Sequence, residues 1–283
     1  MATGVTTKGS LPRLQRTNEL KASYATILGY GPARGGKTRS VERCHEAGLN
    51  PVIIATELGE TSGLLSLASS PIAFIKVTSH AEIIEVLKEM QRKPGKIEYE
   101  QTEFGMAVLD SITQWGDWPL DRFVEIKGWG DLATPASSKD PRSAYGYLAE
   151  KGRQLYKELF ALHGHVYVIA REGIFGNGEE IPFFAAPELP GQKLPREVPG
   201  WPDATIRLRV VAGRYRMITQ AEGNTPCGVR TPSGFPPLPR ECNNDIPALI
   251  RYMTGDRSAY TALVPEKPQA GNKPAVQQAQ EKK

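Results

Sequence analysis

Tyr24-Ala-Thr-Ile-Leu-Gly-Tyr-Gly31-Pro-Ala-Arg-Gly-Gly36-Lys37-Thr38-Arg39-Ser-Val-Glu-Arg-Cys44 is the stretch on which the fold turns. An apolar, β-favouring run stops at a glycine-rich turn, and a polar helical pattern follows. Gly31, Gly36, Lys37 and Thr38 fill the G-x-x-x-x-G-K-[ST] pattern, with Pro32, Ala33, Arg34 and Gly35 at its free positions and Arg39 just after it. Glycines let backbone N–H groups turn inward around phosphate oxygens, and the helix that follows aims its positive dipole end at the same anion. Lys37 can reach β- and γ-phosphates, and the Thr38 hydroxyl can ligate magnesium. A glycine-rich surface turn with one ordinary lysine is the competing reading. It does not account for the strand before the turn or the helix after it, so residues 31–39 are read as a nucleotide phosphate site.

Working outward, the first strand is expected at about 24–29 and its helix at 37–47, stopped by Gly48 and Asn50. Pro51-Val-Ile-Ile-Ala-Thr56 is continuous in β-branched residues, as buried parallel strands are, and it ends in Glu57. Ligands of open α/β sheets lie beyond the carboxyl ends of strands, so Glu57 should face the crevice of the phosphate loop and polarise an attacking water. A solvated loop acid is its plainer role, and Glu60 is the weaker candidate. Met106-Ala-Val-Leu-Asp110 has the form of a strand whose terminal carboxylate holds magnesium together with Thr38. Val166-Tyr-Val-Ile-Ala170 delivers Arg171 to the same edge, as a sensor of γ-phosphate or as a structural arginine. Strands alternating with helices make this an α/β fold with a mainly parallel sheet flanked by helices.

Between these landmarks, 73–77 reads as a short strand, and Ser79-His-Ala-Glu82 reads as a capping box opening an amphipathic helix. Residues 142–162 read as another helix. Residues 115–145 and 173–202 are expected to be long functional loops. The first holds Trp115, Trp118 and Trp129 with Lys139 and Arg142, a mixture that suits stacking on bases and tracking phosphates, or else a satellite cluster packed on the domain. The second holds Lys193 and Arg196. Residues 204–211 and 214–219 read as a C-terminal β-hairpin turning at Ala212-Gly213. Alternation puts Arg207, Arg209, Arg214 and Arg216 on one face, a patch for nucleic-acid phosphate or a neighbouring subunit's nucleotide. Asp245 caps a last helix over 246–253. The expected layout is a flexible arm over 1–21, one domain over 22–255, and a disordered tail over 256–283.

The chain has 283 residues, 40% hydrophobic, with net charge +4 and pI near 8.9, which permits an anionic partner without requiring one. Cys44, Cys227 and Cys242 have no paired spacing, which argues for a reducing cytoplasm and against a disulfide framework or zinc site. His163 and His165 lack matching ligands nearby and read as ordinary polar residues. Residues 1–18 are polar with no apolar segment of a signal peptide, and 63–75 is too short to span a bilayer, so no membrane role is expected.

The order of these motifs, with Ala-Thr-Glu57 and Leu109-Asp-Ser-Ile-Thr113 as its more telling matches beyond the phosphate loop, resembles the RecA/RadA-like ATPase core over about 22–255. It looks most like the compact phage ATP-binding proteins counted among Sak-type single-strand annealing recombinases. The resemblance implies a RecA-like P-loop NTPase core that uses ATP and Mg2+, with Glu57 as catalytic glutamate and Asp110 as magnesium aspartate. It implies homo-oligomers with ATP at subunit interfaces, and loops after the Asp110 and Ala170 strands that approach single-stranded DNA. A single-strand DNA-binding protein becomes a candidate partner, and the bacterial host cytoplasm the expected location of a phage-encoded chain. Two other classes stay open: a phosphotransferase acting on a small acceptor, and a non-hydrolysing, nucleotide-switched accessory factor.

Overall fold

The computed structural model describes residues 23–57, 64, 67, 69–132 and 140–265. The arm over 1–21, Glu60, Lys139 and everything past 265 lie outside the described residues.

The elements run β1 (Thr26–Gly31), α1 (Lys37–Glu46), β2 (Pro51–Ala55), β3 (Ala73–Lys76), α2 (His80–Met90), β4 (Ile97–Tyr99), β5 (Thr102–Phe104) and β6 (Met106–Asp110). There follow α3 (Ile112–Trp115), α4 (Asp117–Lys127), α5 (Pro141–Phe160), β7 (His165–Phe175), β8 (Phe184–Pro187) and α6 (Leu194–Glu197). The chain then forms β9 (Ala204–Val211), β10 (Arg214–Ile218), β11 (Gly228–Val229), β12 (Glu241–Asn243), α7 (Ile246–Met253) and α8 (Ala259–Leu263).

Strands line up as β12-β10-β9-β1-β7-β6-β2-β3. Every pair from β9 to β3 is parallel, and β10 and β12 add antiparallel at the other end. β1 is buried on both sides: Leu28 and Tyr30 face a core built with α2, α4 and α5, while Ile27 faces one built with α1, α7 and α8. That two-sided burial is why β1, β2 and β6 read as continuous apolar runs rather than alternating ones. The fold is α/β as expected, a mostly parallel mixed sheet between helical layers, hairpin included. The hairpin turns at Ala212 and Gly213, both at positive φ (49° and 74°), the backbone a two-residue turn requires.

Among the described residues, neither long segment is a loop throughout. Residues 112–127 form α3 and α4, and Trp115 is fully buried with its Nε1–H donating to His80 Nδ1 at 3.0 Å. Trp129 packs edge-on against Phe123, ring centroids 5.6 Å apart. The tryptophans are a cluster packed on the domain, because rings with partners this close bury more apolar area than an open loop allows. Residues 173–202 also differ from expectation. β7 continues past the sheet to Phe175 and pairs antiparallel with β8. The turn between them is held by Asn177 Oδ1, which accepts the N–H groups of Glu179, Glu180 and Ile181. Residues 256–265, expected to belong to the tail, are folded instead, since α8 packs Ala259 and fully buried Leu263 into the core. Asp245 does cap the preceding helix, its Oδ1 accepting from Ala248 N–H at 2.9 Å. No described helix is long and apolar enough to cross a membrane.

Candidate nucleotide-binding site

The loop between β1 and α1 sits at the carboxyl ends of the parallel strands. Its tip, Pro32 to Arg34, is exposed, while Gly31 and Gly35 are buried beneath it. Two positions demand glycine. A Cβ on Gly31 would come within 2.1 Å of the Leu208 carbonyl oxygen, so β9 leaves no room for a side chain. Gly36 has φ 87°, in the left-handed region, and a Cβ there would lie 2.7 Å from the Tyr215 ring. The turn is tied by Gly35 N–H to Pro32 carbonyl at 3.1 Å, and α1 starts at Lys37 with Ser40 N–H donating to the Gly36 carbonyl at 3.0 Å. Tyr167 of β7 reaches Ser40 (3.1 Å), which fixes the helix against the sheet.

The loop's cation and the two acids converge. Lys37 Nζ donates to the carbonyls of Gly31 (2.8 Å) and Pro32 (2.7 Å). The Thr38 hydroxyl donates to Asp110 Oδ2 at 3.1 Å, across 72 residues of sequence. Asp110 is brought there by register: it pairs with Ala55 of β2 on one side and Ile169 of β7 on the other. Its carboxyl is pushed up to about 6 by burial first, then by the charge of Glu57, with Thr38 and Lys37 acting the other way. Some of its surface still opens onto the crevice, although its surroundings are dense. The Lys37 amine is lowered by burial, opposed by Asp110, Glu172 and Glu57 and helped by Arg171. Glu57, half-buried just past β2, is thus within electrostatic reach of both. The two strand ends are cross-linked: Thr56, just before Glu57, donates its Oγ1–H to the carbonyl of Ser111, just after Asp110 (2.7 Å), and its Oγ1 accepts from Ser111 N–H (2.8 Å). A hydroxyl and a carboxylate this close, both oxygen donors, fit a hard divalent cation that keeps waters and shares phosphate oxygens. Thr38 and Asp110 would hold Mg2+, and the ion would neutralise phosphate charge there.

Arg171 pairs with Gly31 in the β1–β7 register, which puts it beside the loop. Its N–H donates to Thr113 Oγ1 at 2.9 Å, and its half-exposed guanidinium meets Glu188 at 3.1 Å. Arg39 lies exposed on α1 and pairs with Glu42 at 3.6 Å.

Sequence reasoning missed Glu172. It lies one residue past Arg171, nearly buried, and grips Arg207 in two hydrogen bonds of 2.7 and 2.9 Å over the end of β1. An arginine followed by an acid at the end of a strand pattern does not say which of them is structural, but Glu172 shares the parity of Ala170 and lies on the Val166–Val168–Ala170 side of β7.

The four arginines share a face, yet they do not make an open patch. Arg207 is taken by Glu172, and Arg216 is buried against Asn243 and Glu241. Arg209 is half-buried, while Arg214 is exposed. Alternation assigns a face but does not say what covers it. Here the neighbouring β7 extension and β12 do. Among the other basic candidates, Lys193 pairs with Glu197 at 3.5 Å, Arg196 lies over the Phe184 ring at 5.9 Å, and Arg142 is exposed at the start of α5.

Fold and site together define a P-loop nucleoside triphosphate-binding protein. Residues 23–231 match the model of the AAA domain family, well over half of the chain, and the chain belongs to that family. No curated protein matches it. Among solved structures it is similar to an ATPase from the type III secretion system of pathogenic bacteria, at 12% identity and a TM-score of 0.40. That similarity covers 65% of this chain and 52% of the other, so this chain spans about half of that ATPase.

Proposed function

We propose that the protein is a Mg2+-dependent ATPase that acts with single-stranded DNA in annealing or strand exchange, assembled from several copies of itself. The observation that carries the ATPase part is the 3.1 Å contact of Thr38 with Asp110, with Lys37 and Glu57 in electrostatic reach. Glu57 orients a water for in-line attack on the terminal phosphorus and takes its proton, as the bond to the bridging oxygen breaks and ADP leaves. Lys37 offsets the charge that builds on the phosphoryl oxygens. Arg171, beside the loop, reads the presence of the terminal phosphate by leaving Glu188 for it.

The DNA part rests on the motif order from Ala-Thr-Glu57 to Arg171 and on exposed cations of the same strand-end edge, Arg34, Arg39 and Arg214 among them. The test is ATP turnover titrated with single-stranded and duplex DNA at several salt concentrations. Stimulation by the single strand, weakening steeply with salt, is expected. Turnover that ignores DNA but needs a small acceptor would make this a phosphotransferase. Tight ATP binding without turnover under every DNA condition would make it a switch.

A further inference from the structure

The phosphate loop follows β1, and the two sides of β1 differ. Asp110 and Glu57 end β6 and β2, reached through β7 on one side, while β9 and β10 lie on the other. Lys37, Thr38 and the acids place the terminal phosphate towards β7 and β6. A triphosphate lying along the loop therefore sends its nucleoside the other way, towards the hairpin. There the hairpin offers a surface unlike the rest of its length. Tyr215 and Val210 are directly opposed across β10 and β9, and both are large, apolar and open, at 44% and 51% exposure. The Tyr215 ring touches the loop itself, its Cδ1 2.7 Å from where a Cβ on Gly36 would sit. Residues inward on the same face, Leu208 and Met217, are fully buried, so the exposure begins where the loop begins.

We propose that Tyr215, extended by Val210, is the platform on which the base of the bound nucleotide lies. The inference rests on the nucleotide site proposed above. A ring face and an isopropyl group bind by contact area, with no hydrogen bond to a base edge. The platform therefore ranks ligands by ring size, purines above pyrimidines, and separates ATP from GTP poorly.

Calorimetric titration of the full-length protein with Mg2+ and ATP, GTP, CTP or inorganic tripolyphosphate tests this. Wild-type protein should bind ATP and GTP within a few-fold of each other and CTP more weakly. Tyr215→Ala should weaken ATP and GTP binding about tenfold, in the range of base–aromatic stacking, and leave tripolyphosphate unchanged. Tyr215→Leu keeps apolar bulk against Gly36 without a ring and should lose purine affinity as the alanine variant does, while Tyr215→Phe restores it. Equal losses for ATP and tripolyphosphate would show that the ring only props the loop, which overturns the platform. Unchanged ATP binding by Tyr215→Ala, in protein whose wild type binds both ligands, also overturns it. A wild type that binds neither ligand removes the nucleotide site, and the platform with it.

Discussion

On one side of β1 the sheet presents acids whose place at the crevice can be read from the strands that carry them; on the other it presents arginines whose surroundings cannot. Asp110 and Glu57 each end an apolar strand at the carboxyl edge, so their place follows from the strand alone. Arg207, Arg209, Arg214 and Arg216 lie along strands that another part of the chain covers. Whether each is ligand-facing or structural depends on the β7 extension, β8 and β12. Strand-end positions are set locally, whereas coverage of a strand face is set by packing.

The largest effect that could break this contrast is on the acid side. Glu57→Gln should slow ATP turnover by a factor on the order of 10²–10⁴ while leaving nucleotide binding intact, as expected for loss of a general base. Lys37→Ala should abolish turnover. Unchanged single-turnover hydrolysis by Glu57→Gln would make Glu57 a solvated loop acid and leave neither side legible.

On the arginine side the largest effect is structural. Glu172→Gln leaves half-buried Arg207 without its carboxylate and should destabilise the fold by about 1–2 kcal/mol in urea unfolding. A paired replacement, Glu172→Leu with Arg207→Met, should recover most of that, because apolar groups of similar size remove the unpaired charge. If Arg207→Ala instead lowered DNA affinity with stability unchanged, the arginine would belong to a ligand after all.

How much was legible follows from the same physics. The phosphate loop, the two acid-bearing strands, the hairpin turn and the Asp245 cap depend on neighbours within a few residues, and each was readable. The hairpin β4–β5 was not: its turn is Glu100-Gln101, both at positive φ (48° and 65°), where no Asn or Gly announces it. The tryptophan segment left two readings open, an open loop and a packed satellite cluster, because glycines and charges are as frequent in it as apolar residues. Trp115 is nonetheless anchored by His80, 35 positions away, a contact no local pattern encodes. Glu172 was missed because its partner lies on β9 and comes close only when β1 slots between them.

Asp110 sharpens the comparison through pH. Its folded value, about 6 against an ordinary 3.8, means the folded chain holds that proton more tightly than the unfolded chain does. Ionisation therefore penalises the fold, with a penalty that grows between about pH 4 and 6 and is constant above. Asp110→Asn should stabilise the chain by about 2 kcal/mol at pH 8, a figure reduced for the part of the carboxyl that stays open, and by nothing at pH 3. The same variant should lose Mg2+-dependent nucleotide binding. Wild-type Mg2+-dependent binding should strengthen as pH rises towards 6 and level off above 7. A stability difference independent of pH would mean that the carboxyl is not desolvated.

The smallest effect belongs to the one hairpin arginine left open. Arg214 pairs with Val211 of β9 through its backbone, which alanine keeps, and its side chain is exposed, so Arg214→Ala should leave urea unfolding within about 0.5 kcal/mol of wild type. If the open part of the hairpin meets the DNA backbone, single-strand affinity should fall a few-fold at low salt, and the slope of log K against log salt should drop by about 0.7, one phosphate contact on a single strand. Unchanged affinity and slope would confine the whole hairpin face to structure and move the DNA contact to other exposed cations of the strand-end edge, Arg34 and Arg39 first. In either outcome Arg207 and Arg214, on the two paired strands of the hairpin and seven residues apart, answer different questions. Burial against Glu172 makes the first a matter of stability, and exposure makes the second a matter of salt.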